Sequence, residues 1–488
     1  MENSMDKPKE ECGIFGVYGI NEAANYVYLG LNFLQHRGQE SCGIVSTEGI
    51  SLYKQVGVGK ISEFFDDEKL NYLKGFRAIG HVRYSTTGSP TLVNAQPITG
   101  STSKGALAIA HNGNITNANL IRNELLKKGE VFHSTSDSEV VVHLISHAPS
   151  ENLVKAVQWA LSKLEGSFAL LVMTKDTLIA ARDPMGFRPL SMGKIGDTIG
   201  DIGGTIAFSS EDSAFSIIEA KKMREVEPNE MIVINEEGVR SLQILPEKPK
   251  TNQCVFELIY FAKPSSNLFH TSVYEYRFGI GKKLARLHPV DADYVVPIPD
   301  SGIVSAIGYS MESGIPLALG LIRSHYIGRT FIEPSQKIRD FGVKMKFIPV
   351  REIIENKRII LIDDSVVRGT TSRKIVKMVR DFGPVKVHMR VASPPVRYPC
   401  FYGIDFSTYE ELLANKFATM EEIAKYIGVE SIGYLTPETL FGNDTSAVSG
   451  DFCAACFHGE YPTPLNQFSK DGFEQEIKQK YFGYSRNS

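Results

Sequence analysis

The chain has 488 residues, 42% hydrophobic and 22% charged, the balance of a globular protein with room for two or three cores. A formal net charge of −3 supplies no basic surface for nucleic acid, and no apolar run is long enough to span a bilayer. Six cysteines in so long a chain do not make a disulfide framework, so a reducing compartment, the cytoplasm, is expected.

Residues 1–11 (MENSMDKPKEE) are polar and charged and lack the apolar core of a secretory signal. Cys12 then opens CGIFGVYG, a small-residue strand, and Ala24, Tyr28, Leu31 and Leu34 follow at helical spacing. Strands are predicted at 78–84 (AIGHVRY) and 106–111 (ALAIAH), the second leading into Asn112 and Gly113. Helices are expected near 118–128, 139–147 and 153–164, before strands return in SFALLVM, DTLIAA and TIAFSS. Strands that bracket a block of helices predict sheets covered by helices. Residues 245–252 (LPEKPKTN), with two prolines and three charges, read as a linker.

Beyond the linker a new α/β pattern begins. Residues 294–299 (YVVPIP) read as a buried strand ending in Asp300, Ser301 and Gly302, with a helix through Ile303, Ile307 and Tyr309. A strand at 316–324 is followed by a long basic stretch, 325–346, of the kind that is either a functional lid or disordered. Then come four aliphatics (Ile359–Ile362), two carboxylates (Asp363, Asp364), a loop of Gly369, Thr370, Thr371 and Ser372, and a helix marked by Ile375, Met378, Val379 and Phe382. In an open α/β sheet that order sets the loop at the carboxyl end of a strand, with N–H groups at a helix N-terminus suited to a phosphate. Two carboxylates beside a phosphate cannot bind it, so they serve sugar hydroxyls or a metal. The ATP-binding P-loop spacing is absent.

Cys254, Cys400, Cys453 and Cys456 include a single C-x-x-C. Four such thiolates suit structural zinc or an iron–sulfur cluster, and spacing does not choose between them. Cys42 reads as packing.

The segment IDDSVVRGTTS resembles the phosphoribosyl-pyrophosphate (PRPP) motif of the type I phosphoribosyltransferases. That resemblance implies ribose hydroxyls on Asp363 and Asp364, the 5′-phosphate on Arg368, Gly369, Thr370 and Thr371, and pyrophosphate on Asp300, Ser301 and Gly302. It also implies Mg²⁺, with Ser301, Asp363 and Asp364 as candidate contacts, and a basic lid over bound PRPP. In the first half, Cys12-Gly13-Ile14, LQHRGQES (34–41), HVRYST (81–86), His111-Asn112-Gly113 and STSDSE (134–139) resemble the N-terminal-nucleophile glutamine amidotransferases. There the leader is removed and the α-amine of the new terminal cysteine, with a pKa of about 8, serves as base for its thiol. Carried over, Arg83 grips the glutamine α-carboxylate, Asp137 its α-ammonium, and Asn112 with the Gly113 N–H forms the oxyanion hole.

Together the two halves resemble the glutamine PRPP amidotransferases. The domains this implies are a propeptide (1–11), a glutaminase domain (12–245), a phosphoribosyltransferase domain (253–465) and a tail (466–488). The fold class is α/β: an α+β first half with helix-covered sheets, then an α/β half with a parallel sheet. The resemblance further implies a structural [4Fe–4S] cluster on Cys254, Cys400, Cys453 and Cys456, purine nucleotides as feedback inhibitors, and a homotetramer. A PRPP-sensing regulator is the rival reading; it would need a DNA-binding helix pair or a basic face, and a ruined glutaminase site.

Overall fold

The computed structural model describes residues 12–84, 92–196, 204–324, 346–404, 406, 408–441 and 452–465. The leader (1–11), the tail (466–488) and all of the basic stretch but Lys346 lie outside them.

Two antiparallel sheets face each other in the first half. In one, strands Ala220–Glu225, Ser191–Ile195, Thr205–Ser209, Gly13–Tyr18, Arg77–Arg83, Ser41–Thr47 and Leu52–Val58 lie side by side in that order. In the other the order is Gly238–Gln243, Glu230–Asn235, Leu178–Arg182, Gly166–Thr174, Gly105–Ile115 and Ile98–Thr102. The layer between them is aliphatic, built from Ile14, Val45, Ile79, Ala108, Leu171 and their neighbours. Helix Ala23–Phe33 covers the outer face of the first sheet, and helices Ala118–Lys127, Glu139–His147 and Leu153–Leu161 cover the second. The expectation of helix-covered sheets therefore holds. Cys42 is wholly buried in the first outer core, where it packs as expected.

Residues 245–252 form no strand or helix. The second half carries a parallel sheet in the order Tyr294–Pro297, Arg358–Asp363, Lys386–Val391, Ser431–Tyr434. Helix Ile303–Ser313 follows the first of these strands and Thr370–Arg380 the second. Ile359, Ile360, Leu361 and Ile362 are all fully buried, as a parallel strand covered on both faces requires.

Two expectations need correction. The strand that carries Asn112 and Gly113 does not stop before them. It runs from Gly105 to Ile115, because Asn112 and Gly113 keep pairing with Ala169 and Phe168. Residues 316–324 do not form one strand. Leu317 makes a single bridge to Val295, the chain turns through an Ala318–Gly320 contact, and only Leu321–Arg323 is extended, pairing with Phe347–Pro349.

Candidate active site

Cys12 immediately precedes the Gly13–Tyr18 strand, in the ladder where Gly13 faces Val82. Its thiol donates to the Tyr84 carbonyl at 3.5 Å and is buried. Burial pushes that thiol up to about 11, against the pull of Arg83 and with smaller pushes from Asp137 and Glu40. At neutral pH it is therefore a thiol and reacts only beside a base. Arg83 ends the adjacent strand, buried, one position past Val82.

The opposite wall comes from the second sheet. Asn112 is 1% exposed, and neither its Oδ1 nor its Nδ2 has a hydrogen-bond partner among the described residues. A buried amide left unpaired costs free energy, about 1–3 kcal/mol, unless something else satisfies it. Gly113 has φ 143°, and a Cβ there would stand 2.2 Å from the Ser167 carbonyl oxygen, so no other residue fits. Asp137 is buried as well. Its Oδ2 accepts from the Ile115 N–H at 2.9 Å, and its Oδ1 accepts weakly from Ser138 Oγ at 3.2 Å.

Two histidines back this wall. His81 Nε2 donates to the His111 carbonyl at 3.0 Å, and His111 Nδ1 meets Ser138 Oγ at 2.8 Å. Burial, helped by Arg83, holds His81 down to about 3, and burial also lowers His111. Both rings are neutral scaffolding near pH 7. The geometry thus gathers a thiol, a cation, an anion and an unsatisfied amide, a set suited to acyl transfer from an amino-acid amide.

The second constellation lies where the parallel strands end. Asp363 is the last residue of its strand, and both it and Asp364 are 1% exposed. Asp363 Oδ1 accepts from the Asp364 N–H at 3.0 Å, and Asp364 Oδ1 accepts from Ser365 Oγ at 2.6 Å. Gly369 caps the next helix with φ 78°, a conformation that favours glycine, and Thr370 and Thr371 form its first turn. The turn of Asp300, Ser301 and Gly302 follows the neighbouring strand; a Cβ on Gly302 would press to 2.4 Å from the Ile362 carbonyl. Both loops therefore border one crevice outside the carboxyl ends of adjacent parallel strands. Asp300 pairs with Arg323, and Arg368 with Glu411 at 3.1 Å.

Cys254 and Cys453 face each other in a short parallel ladder, and Cys400 accepts from the Tyr402 N–H at 3.3 Å. Burial raises the thiols of Cys254, Cys453 and Cys456, and each is further raised by its neighbours among the four. None forms a disulfide. Among the described residues no three His, Cys, Asp or Glu side chains close on one point as ligands of a single ion.

Sequence reasoning assigned no role to Arg37, Glu211 or Glu257, all three buried and joined by ion pairs. The signal was present in VFELIYFA, where one carboxylate stands in an apolar run and must have a buried partner.

A profile for the glutamine amidotransferase domain matches residues 81–216. Over 462 residues the chain is 45% identical to the amidophosphoribosyltransferase of Bacillus subtilis (strain 168), covering 94% of this chain and 95% of that one. The chain belongs to the amidophosphoribosyltransferase family. Amidophosphoribosyltransferase 2, chloroplastic, of Arabidopsis thaliana is 47% identical over 461 residues, covering 94% of this chain and 80% of its own. Two solved structures, both 44% identical, share the fold. Glutamine PRPP amidotransferase from B. subtilis, complexed with ADP and GMP, superposes with a TM-score of 0.85 and covers 93% of this chain and 98% of that one. The allosteric regulatory enzyme of purine biosynthesis superposes with 0.87, covering 93% and 97%. The chain is thus an enzyme of the transferase class with a glutaminase half and a phosphoribosyltransferase half. No helix among the described residues is long and apolar enough to cross a membrane.

Proposed function

We propose that this amidophosphoribosyltransferase joins glutamine hydrolysis at Cys12 to amination of PRPP at the Asp363–Asp364 crevice. Glutamine, PRPP and water give 5-phosphoribosylamine, glutamate and pyrophosphate, the step that commits material to purine nucleotides. The leader is removed ahead of Cys12, whose free α-amine takes the thiol proton. The sulfur attacks the glutamine carboxamide, and Asn112 Nδ2 with the Gly113 N–H receives the oxyanion. Ammonia leaves a γ-glutamyl thioester, which water hydrolyses to glutamate, and the ammonia passes within the protein to displace pyrophosphate at C1 of PRPP. Arg83 and Asp137 hold the glutamine α-carboxylate and α-ammonium. The observation that carries this reading is the buried Asn112 side chain, neither of whose polar atoms has a partner among the described residues.

A hard cation suits the second crevice. Buried Asp363 and Asp364, with Ser301 on the facing turn, would hold Mg²⁺ mainly through the substrate's own oxygens, as this ion prefers, so no protein cage is required. Bound there, Mg²⁺ would neutralise charge on the departing pyrophosphate. Asp300, Gly302, Arg368, Gly369, Thr370 and Thr371 would meet the phosphates, with Asp300 and Arg368 leaving their present ion pairs for the ligand.

Cys254, Cys400, Cys453 and Cys456 fit a [4Fe–4S] cluster. Cys400, Cys453 and Cys254 lie close enough to Cys456 to raise its thiol, an all-sulfur set of the kind such a cluster takes. The cluster would tie residue 254 to the C-terminal segment, a structural role without electron transfer. Homotetramer formation, purine nucleotide feedback and a cytoplasmic location complete the reading. Protein purified without oxygen, given glutamine and Mg²⁺-PRPP, should release glutamate and pyrophosphate in equal amounts; pyrophosphate without glutamate, or the reverse, would refute the coupled reaction.

A further inference from the structure

Removing the leader leaves Cys12 with no chain on its amino side, so its main chain is held only from beyond. The Gly13 ladder fixes one side of that residue. What holds the Cys12 carbonyl is Arg37, whose Nε donates to it at 3.2 Å. Arg37 follows the Leu34–His36 turn, and the turn lies tight on the neighbouring strand, where a Cβ on Gly38 would stand 2.6 Å from the Val82 carbonyl carbon.

A guanidinium orients its Nε–H only if its plane is fixed, and two carboxylates fix this one. Glu257 grips it with both oxygens, Nη1 at 3.0 Å and Nη2 at 2.6 Å, while Glu211 takes Nη1 at 2.8 Å. All three side chains are at most 1% exposed, so water cannot substitute for a missing partner. Glu211 belongs to the glutaminase half and Glu257 to the other. Glu257 opens the π-turn Glu257–Phe261; the carbonyls of Leu258 within it and Ala262 just after it accept from Arg277 Nε and Nη2, each at 2.8 Å. The carboxylate thus stands on backbone anchored within the phosphoribosyltransferase half.

We infer that Glu257 is a positioning residue for glutamine hydrolysis: acting through Arg37, it sets the Cys12 main chain, and with it the mutual orientation of thiol and α-amine. The glutaminase site is therefore incomplete without the other half of the chain. This rests on the reading of Cys12 as the nucleophile.

The test uses full-length protein and compares glutamine-dependent with ammonia-dependent synthesis in the same preparation, which cancels differences in folded fraction. In Glu257→Gln the ratio should fall at least about tenfold through kcat, with the glutamine KM within about threefold, because the substrate's own contacts stay in place. Glu257→Asp should recover part of the loss. If Glu257→Gln does not fold, Arg37→Lys replaces it: the charge is kept, the Nε–H is lost, and the same fall is expected. A folded Glu257→Gln whose ratio stays within about twofold of wild type would overturn the inference. So would failure of both variants to fold, since the pair would then be a stability element. Cys12→Ala separates the two layers: glutamine use surviving in that variant sinks the nucleophile reading itself, whereas its loss beside an unaffected Glu257→Gln sinks only the positioning role.

Discussion

Cys254 and Cys453 are opposed partners in a two-residue parallel ladder, although they come from the start and the end of the second half. Such a short ladder has little strength of its own, and a cluster bridging its thiols would hold it. Replacing any of Cys254, Cys400, Cys453 or Cys456 with Ser should give iron-poor protein that misfolds or keeps its leader, since cluster binding and folding are coupled. Anaerobic wild type should be brown, with about four irons per chain. Iron and sulfide analysis decides it; colourless protein with stoichiometric zinc and full activity would favour zinc.

Cys12→Ala should lose glutamine-dependent synthesis and keep synthesis from ammonia, because the second crevice does not use the thiol. Intact-mass measurement of active wild type should find residues 1–11 gone. Full glutaminase turnover in protein that retains them would mean the base is not the Cys12 amine.

Asn112→Ala should lower glutaminase kcat by about 10²–10³, the usual cost of one oxyanion donor, with a small change in the glutamine KM. The amide is buried without a partner, so truncation leaves no other group exposed and stability should change little. Steady-state kinetics beside thermal melting separates the two effects. A rise in KM at unchanged kcat would place Asn112 in ground-state binding instead.

Glutamine hydrolysed without PRPP would waste its ammonia, so Mg²⁺-PRPP should raise glutaminase turnover. Asp363→Ala combined with Asp364→Ala should abolish both synthesis and that stimulation, leaving a slow basal glutaminase because the Cys12 wall is untouched. Glutamate release with and without PRPP in both proteins reads this out. Wild-type release indifferent to PRPP would mean the halves work independently.

Acid should weaken the seam between the halves through Glu211. Burial alone would raise its pKa, but the charges of His36 and Arg37 and the hydrogen bonds to its oxygens drive it far below the usual carboxylate range. The folded value is thus depressed below the unfolded one, about 4.3, so the stabilisation is complete above that pH and is lost as pH falls further. Melting temperature should drop more steeply below about pH 4.5 in wild type than in Glu211→Gln, whose amide does not titrate. Parallel curves in a pH-resolved melt would assign the acid sensitivity elsewhere.

Residues whose role is set by local pattern were legible in the sequence. The run Ile359–Ile362 followed by two acids could be placed at a strand end from hydrophobicity alone, and the sheet order bears that out. A helix expected near 139–147 is found at Glu139–His147. What escaped depended on distant chain. Asn112 and Gly113 were placed just past the end of a strand, yet pairing with Ala169 and Phe168 carries the strand through them. Residues 316–324 were apolar enough for a strand but turn at Gly320 before any pairing can extend. Arg37 was visible within QHRG, and its partners were not, because Glu211 and Glu257 reach it only through the fold.

One backbone oxygen bears on how freely the two catalytic halves can be exchanged. The Tyr402 carbonyl accepts from Ser167 Oγ at 2.7 Å and Arg188 Nε at 3.0 Å, both in the first half. Its own N–H points back at Cys400, and Gly403 lies so near Gly113 that a Cβ would come within 3.2 Å of that backbone. The glutaminase wall is thus lined from behind by a loop belonging to the other catalytic unit, with a cysteine at its root. Grafting this glutaminase onto a different acceptor domain would strip Ser167 and Arg188 of that partner, so a functional chimera must carry residues 400–403 with it. Recombination in this chain is constrained to cut elsewhere than at the linker.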